Sequence, residues 1–272
     1  MLAKRWPIAV SAIVVIISLG WLVARYGNDS SVSDAAEPSL EKAAVANPLT
    51  DPLYADSLGE IAAKANPENI SDIVSADRGD SWACASCHGG QGQGAGSVPR
   101  LAGLPAGYIT KQLHDYADGR RLNDNMQHVV SSLSDEDMAA LGAYYSRLEA
   151  PGDTQPQLGG NIERGRTLAL EGDWAIDVPA CFSCHGSSGW GVGQSFPSLA
   201  GQHSSYTYIQ LANWNNGKRN NSPIQLMRDI AQKLSDSDMR SVADFMATLS
   251  PPQTLGITRT SDDGSRTEVE IP

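Results

Sequence analysis

Hydrophobic positions along the 272-residue chain fall into three regimes. The first is a nearly continuous apolar run from Trp6 to Ala24, uncharged and preceded by Lys4-Arg5. As a helix, its roughly 18 apolar residues span about 27 Å, close to the hydrocarbon thickness of a bilayer. Positive charge on the N-terminal side keeps that side cytoplasmic and exports whatever follows Arg25. The run therefore predicts an N-terminal transmembrane anchor over residues 1–26, with a cleaved signal peptide as the competing reading. Against cleavage, the run exceeds the usual core of about 7–15 residues, and Leu22 stands where a cleavage site wants a small side chain. In the second regime, residues 27–56, no apolar period is sustained. Asn, Asp, Ser, Ala, Glu and Pro dominate, as in a flexible tether, whose reach would be roughly 30 Å.

The third regime, residues 57–250, has a helical period, and it occurs twice. Met138, Leu141, Tyr145 and Leu148 recur at helical spacing behind Ser134 and Asp137, which form a capping-box pattern; Met239, Val242, Met246 and Leu249 repeat this behind Ser235 and Asp238. Shorter amphipathic helices are predicted over Tyr108–Tyr116 and Tyr206–Trp214. No stretch alternates as a sheet strand would, so the fold class is all-α. The repeat extends beyond periodicity. Arg78-Gly79 matches Arg164-Gly165, Pro99-Arg-Leu-Ala-Gly103 matches Pro197-Ser-Leu-Ala-Gly201, and Tyr108, Gln112, Gly119, Arg121 and Asn123 match Tyr206, Gln210, Gly217, Arg219 and Asn221 at an offset of 98. The offset becomes 101 after an insertion near Pro223. Two domains follow, residues 57–150 and 157–250, joined by the Pro- and Gly-containing linker that ends at Pro156. A polar tail, 251–272, completes the chain.

Composition sharpens this picture at two points. Halves of this size have thin cores, and three Phe among many Gly and Pro make them thinner, so each needs a further apolar body to pack against. The formal charge of −11 argues against nucleic acid and leaves a basic protein surface, or solubility alone, as its purpose.

All four cysteines lie in two five-residue boxes, Cys84-Ala-Ser-Cys87-His88 and Cys181-Phe-Ser-Cys184-His185, each followed by glycine. Two cysteines one helical turn apart can each add to a haem vinyl group while the next residue offers imidazole to the iron. A zinc site would not place His directly after the second Cys twice, and a thioredoxin-like pair needs a βαβ context that is absent. The boxes thus predict two covalently bound haem c groups, Cys84, Cys87, Cys181 and Cys184 attaching them and His88 and His185 ligating the irons. For the opposite side of each iron, His114, His128 and His203 have no histidine at the matching place in the other half. Met138 and Met239 belong to a buried helix stripe, where Met is ordinarily packing. Met126 and Met227 lie in Asn- and Pro-containing segments read as irregular, each seven residues before the final Leu-Ser-Asp, and are the candidate sixth ligands. Pro99 and Pro197 follow their boxes at similar distances; spacing alone leaves them as turn-formers or as carbonyl acceptors for the histidines.

The paired boxes, the Pro-x-Leu-Ala-Gly turns, the Tyr-containing helices with Gln-Leu, the Met segments and the Leu-Ser-Asp-x-Asp-Met helices together resemble the dihaem cytochrome c4 family over about residues 57–250. The resemblance implies two class I cytochrome c domains related by a pseudo-twofold axis, haem propionates near their interface, and acceptance of the box His N–H by the Pro99 and Pro197 carbonyls. It implies an electron carrier and not an enzyme. Its donor would be a quinol-oxidising complex or a dehydrogenase, and its acceptor a terminal haem-copper oxidase or another membrane redox complex. The alternatives are the cytochrome subunit of a periplasmic dehydrogenase or oxidase complex and a catalytic dihaem enzyme, a peroxidase or a thiosulfate-oxidising cytochrome. With the anchor, the expected place is the bacterial inner membrane, haem domains in the periplasm. Anchor, tether and tail depart from the mostly soluble family.

Overall fold

The computed structural model describes residues 47–77 and 81–252. The expected anchor, the tether up to residue 46 and the tail from 253 lie outside the described residues. No helix among the described residues is long and apolar enough to cross a membrane, and no strand forms among them.

The first half contains α1 (Tyr54–Lys64), α2 (Ser71–Ser75), α3 (Cys84–His88), α4 (Ala106–Ala117), α5 (Asp124–Val130) and α6 (Asp135–Ser146). The second contains α7 (Ile162–Leu170), α8 (Cys181–His185), α9 (Ser204–Asn215), α10 (Leu226–Ala231) and α11 (Asp236–Ala247). Both expected capping boxes form. Ser134 Oγ accepts from Asp137 N at 3.1 Å while Asp137 Oδ2 accepts from Ser134 N, and Ser235 with Asp238 repeats the arrangement. These two bonds occupy donors that a helix start leaves orphaned, and they fix where α6 and α11 begin. Behind the caps, Met138 and Met239 sink into two separate cores at 3% and 6% exposure. The first core gathers Ile70, Ile73, Leu113, Leu141 and Tyr145; the second gathers Leu168, Val178, Phe182, Leu211 and Met246.

The helices cross where glycine permits. In the second half α7 lies on α11, and a Cβ on Gly165 would collide with the Ser241 carbonyl and with Phe245 Cβ. Valine at Gly165 is therefore expected to cost about 1–3 kcal/mol, as overpacked cores do, and to lower the melting temperature by several degrees. A melting curve identical to wild type would mean that α7 can shift off α11 freely. The first half differs. Its repeat partner, Gly79, lies outside the described residues, and α1 packs instead on α4 through Gly107, which closely approaches Ala55 O and Gly59 N.

The end of the tether moves from its expected place. Tyr54, Leu58 and Ala62 form a buried stripe on α1, so the tether read to residue 56 ends at least three residues sooner. Residues 47–52 also make a turn against the second half, where Leu49 O accepts from Ile224 N at 2.7 Å. The segments holding Met126 and Met227, expected to be irregular, are short helices. Asn123 Oδ1 accepts from Met126 N at 3.0 Å to start α5, and Ser222 Oγ accepts from Met227 N at 3.0 Å at the start of α10. Just before α10, Ile224 and Gln225 have φ of 49° and 59°. A left-handed conformation costs an L-residue roughly 1–2 kcal/mol, with β-branched Ile among the least tolerant.

The halves meet through polar side chains that correspond in the repeat. Arg121 and Arg219 face each other across an isolated antiparallel backbone bridge. Arg121 donates to Tyr206 OH at 3.0 Å and Gln210 Oε1 at 2.9 Å; Arg219 donates to Tyr108 OH at 3.4 Å and Gln112 Oε1 at 3.0 Å. A second clasp joins Arg100 N to Gln202 Oε1 and Gln202 Nε2 to Arg100 O, at 2.9 and 3.0 Å.

Candidate haem sites

Each box is a single helical turn, which brings its two cysteines to one face and leaves the histidine at the C-terminal end. The glycine run that follows is needed to fold back underneath. Gly94 N donates to His88 O and Gly191 N to His185 O, both at 2.8 Å. These residues have φ of 69° and 90°, and a Cβ at either would strike the Pro99 or Pro197 region of its own loop. The turn is then tied twice. Gly92 O accepts from Leu101 N and Ala102 N, and Gly189 O accepts from Leu199 N and Ala200 N, at 2.8 and 3.0 Å in each half. Gly103 N reaches Tyr145 O on α6, and Gly201 N reaches Met246 O on α11, both at 3.0 Å. The Pro-x-Leu-Ala-Gly motif is thus a rigid strut between the box and the last helix of its half.

What the strut presents is a carbonyl. His88 Nδ1 lies 3.0 Å from Pro99 O, and His185 Nδ1 lies 2.8 Å from Pro197 O. A carbonyl can only accept, so Nδ1 carries the proton and Nε2 of each neutral ring keeps a free lone pair. Both imidazoles are 7% exposed. Burial pulls their pKa values below the ordinary histidine range, only partly offset by the proline carbonyls, while Arg121 adds slightly to the lowering at His88. Neutral rings with Nε2 unprotonated are what coordination requires. Burial likewise raises the Cys84 thiol and pushes Cys181 up to about 11. Among the described residues no three His, Cys, Asp or Glu side chains gather as a metal ion's donor set.

In the second half a cleft enclosing about 1060 Å³ of empty space, part of it open to solvent, lies beside the box. Cys181, Cys184, His185 and Met227 line it together, between apolar walls that include Leu168, Val178 and Leu211. Leu104 and Tyr108 of the first half and Arg219 close one side, so the cleft reaches the boundary between halves. Trp214, on its wall, has a buried Nε1–H with no partner. A large flat apolar group carrying acceptor groups matches this lining: the walls take its body, the cysteines its edge, and the unpaired indole N–H an oxygen. In the first half, Cys84, Ala85 and Met126 all pack on the core that holds Leu113 and Tyr145.

The boundary is electropositive. Arg121 and Arg219 are 6% and 4% exposed, and their hydrogen-bond partners are amide and hydroxyl groups. Asp115 is engaged by Lys111 and Arg120. Tyr206 registers the excess: burial alone would push its hydroxyl pKa up, yet Arg121 and Arg219 outweigh burial and bring it below the ordinary value. Sequence reasoning noted these tyrosines, glutamines and arginines as repeat partners but assigned them no role. Their reciprocal spacing around the boxes was the available signal.

The other histidines have different surroundings. His203 Nε2 lies 2.9 Å from Gln93 O across the boundary, His128 stacks near Trp82 at 5.1 Å, and His114 Nδ1 lies 3.6 Å from Asp135.

The family model described as cytochrome c matches residues 76–149 and again 162–250. A thiosulfate dehydrogenase electron acceptor from Stutzerimonas stutzeri is 43% identical over 175 residues, covering 63% of this chain and 81% of that protein. Cytochrome c4 from Pseudomonas aeruginosa is 36% identical over 167 residues, covering 60% and 82%. Among solved structures, a thiosulfate dehydrogenase from Marichromatium purpuratum superposes with a TM-score of 0.64 at 35% identity, over 67% of this chain. The chain spans only 40% of that longer protein.

Proposed function

Because the chain belongs to the dihaem cytochrome c4 family and carries two covalently bound haem c groups, we propose that it accepts electrons from a periplasmic dehydrogenase of the thiosulfate-oxidising kind. It would pass them to a terminal oxidase or another membrane redox complex. The coarser statement, a dihaem electron-carrying cytochrome, rests on family membership; the donor rests on two thiosulfate dehydrogenase electron acceptors more than 40% identical to the chain. When bound, each haem supplies a one-electron ferric/ferrous couple.

The chain's own residues do the rest. Cys84 and Cys87, and Cys181 and Cys184, would hold the two groups covalently. His88 and His185 would ligate the irons, kept in the right tautomer by the Pro99 and Pro197 carbonyls. Met126 and Met227 would be the second ligand in each half. Arg121 and Arg219 would take haem carboxylates at the boundary and bring the two groups to a common interface. Within the fold, the observation that supports the carrier reading beside family membership is the His–Pro carbonyl bond, made alike in both halves. A catalytic iron would need an open position or a cysteine ligand, and all four cysteines lie in the boxes. The apolar run before Ala24 supports attachment to the inner membrane, haem domains outside.

The test mixes the oxidised holoprotein with a thiosulfate dehydrogenase and thiosulfate, without air. Both haems are expected to become reduced, and membranes containing an oxidase to reoxidise them. Reduction should slow as salt rises if the acidic surface steers docking to a basic face. Failure of the dehydrogenase to reduce either haem rejects this donor, and a salt-independent rate assigns the charge to solubility.

A further inference from the structure

The two methionine segments are held in different ways. In the first half Asn123 is exposed and simply caps α5. Its repeat partner Asn221 is 2% exposed and pinned by the other half: its Nδ2 donates to Gln112 Oε1 and Asp115 Oδ2, and its carbonyl accepts from Lys111 Nζ at 2.8 Å. Six residues later comes Met227, and between them stand Ile224 and Gln225, both left-handed. Gln225 has local partners, Ser222 O accepting from its N–H at 3.1 Å and its Oε1 accepting from Arg228 Nη1 at 3.2 Å, whereas Ile224 N donates to Leu49 O of the N-terminal segment at 2.7 Å.

That segment is itself built to stay in place. Asn47 folds it into a turn, its Oδ1 accepting from Leu49 N and its carbonyl from Thr50 N and Asp51 N. At the other end Asp56, on α1, accepts from Gln194 N and Ser195 Oγ, each at 3.1 Å, and Ser195 Oγ also reaches Pro52 O. Gln194 and Ser195 belong to the loop just before Pro197. Residues 47–56 thus run from the Met227 segment to the loop that aims His185, touching the supports of two candidate ligands that line one cleft.

We infer that residues 47–56 are a strap that positions Met227 against the second haem by holding Ile224-Gln225 in a strained conformation, with no equivalent among the described residues of the first half. This rests on Met227 being a ligand. A strained segment held by an external bond relaxes when the bond goes, and the methionine–iron bond follows the backbone that carries it. The state of the segment joining the haem domains to the rest of the N-terminus would then be read out at one haem only.

The experiment uses the full-length holoprotein carrying Asn47→Ala and Asp56→Ala, which loosen both ends of the strap. Amide exchange at Ile224 is expected to speed up. The ferric methionine charge-transfer band should fall toward half its intensity, and one redox step should move down while the other stays. Adding Ile224→Gly and Gln225→Gly, which adopt positive φ without strain, is expected to restore the band in the loosened protein, a rescue that general destabilisation would not give. Faster exchange with an unchanged band and unchanged steps overturns the strap. Unchanged exchange overturns it too, because Asn47 and Asp56 would not be its anchors. Failure of the ligand assignment is seen separately: Met227→His would leave both steps where they are.

Discussion

Exchanging Met126 for His in the holoprotein is expected to lower one of its two redox steps by a few tenths of a volt, within the ~0.8 V over which axial ligands set haem potentials, and to leave the other in place. Thioether sulfur favours the ferrous state, whereas a second imidazole favours the ferric one. The two steps can be separated because the halves differ around the iron. Phe182 lies near Phe245 beside the second box, where the first has Ala85, and the second methionine segment is bound by the opposite half. The measurement is a potentiometric titration read in the haem absorption bands. If both steps hold their positions in Met126→His, Met126 is not a ligand; if both move together, the haems are too strongly coupled to be treated as two sites.

The second large effect is expected at Asp244, on α11. Its carboxylate is 1% exposed and accepts from Gln157 N, Leu158 N and Gly160 N at 2.8–3.1 Å, fastening the end of the linker to the second half. Alanine there strands three backbone donors, each worth about 1–3 kcal/mol when left unsatisfied. Partial access of water keeps the total nearer 3 kcal/mol than the sum. For a chain of this length the melting temperature should fall by roughly 6–12 °C. Asp244→Asn, which retains one acceptor oxygen, should lie between. A shift for alanine no larger than an ordinary surface substitution gives, about 0.5 kcal/mol, would show that solvent replaces the carboxylate.

Asp244 also shows where sequence reading stops. Its repeat partner is Ala143, so nothing in the repeat singles it out, and its role appears only when residues more than 80 positions earlier fold against it. Features that depend on local chemistry were legible: both capping boxes, both box turns, the buried faces of α6 and α11, and the placement of the candidate ligands in matching positions. Met126 and Met227 look irregular in sequence because a helix of six or seven residues is too short to show a period; α5 is started by the Asn123 side-chain cap, whereas α10 has no side-chain cap at Gln225 and Ser222 Oγ takes the Met227 N–H from before it. The stripe Tyr54, Leu58, Ala62 was obscured by the polar, proline-broken residues before it. Ile224 is the extreme case. Its side chain argues against a left-handed backbone, and only tertiary contacts put it there.

Arg121 and Arg219 make reciprocal contacts across the boundary between the halves. A surface in which each residue meets its own counterpart is the kind by which two identical chains close into a dimer. A half-length protein would already own both members of every such pair, and would need only sufficient concentration to assemble. Joining the copies in one chain makes pairing independent of concentration and lets matched positions diverge. Lys111 and Asp115 on α4 correspond to Ile209 and Asn213 on α9, so one copy has kept a buried ion pair where the other has none. What began as equal halves can then hold two iron centres in unlike electric fields.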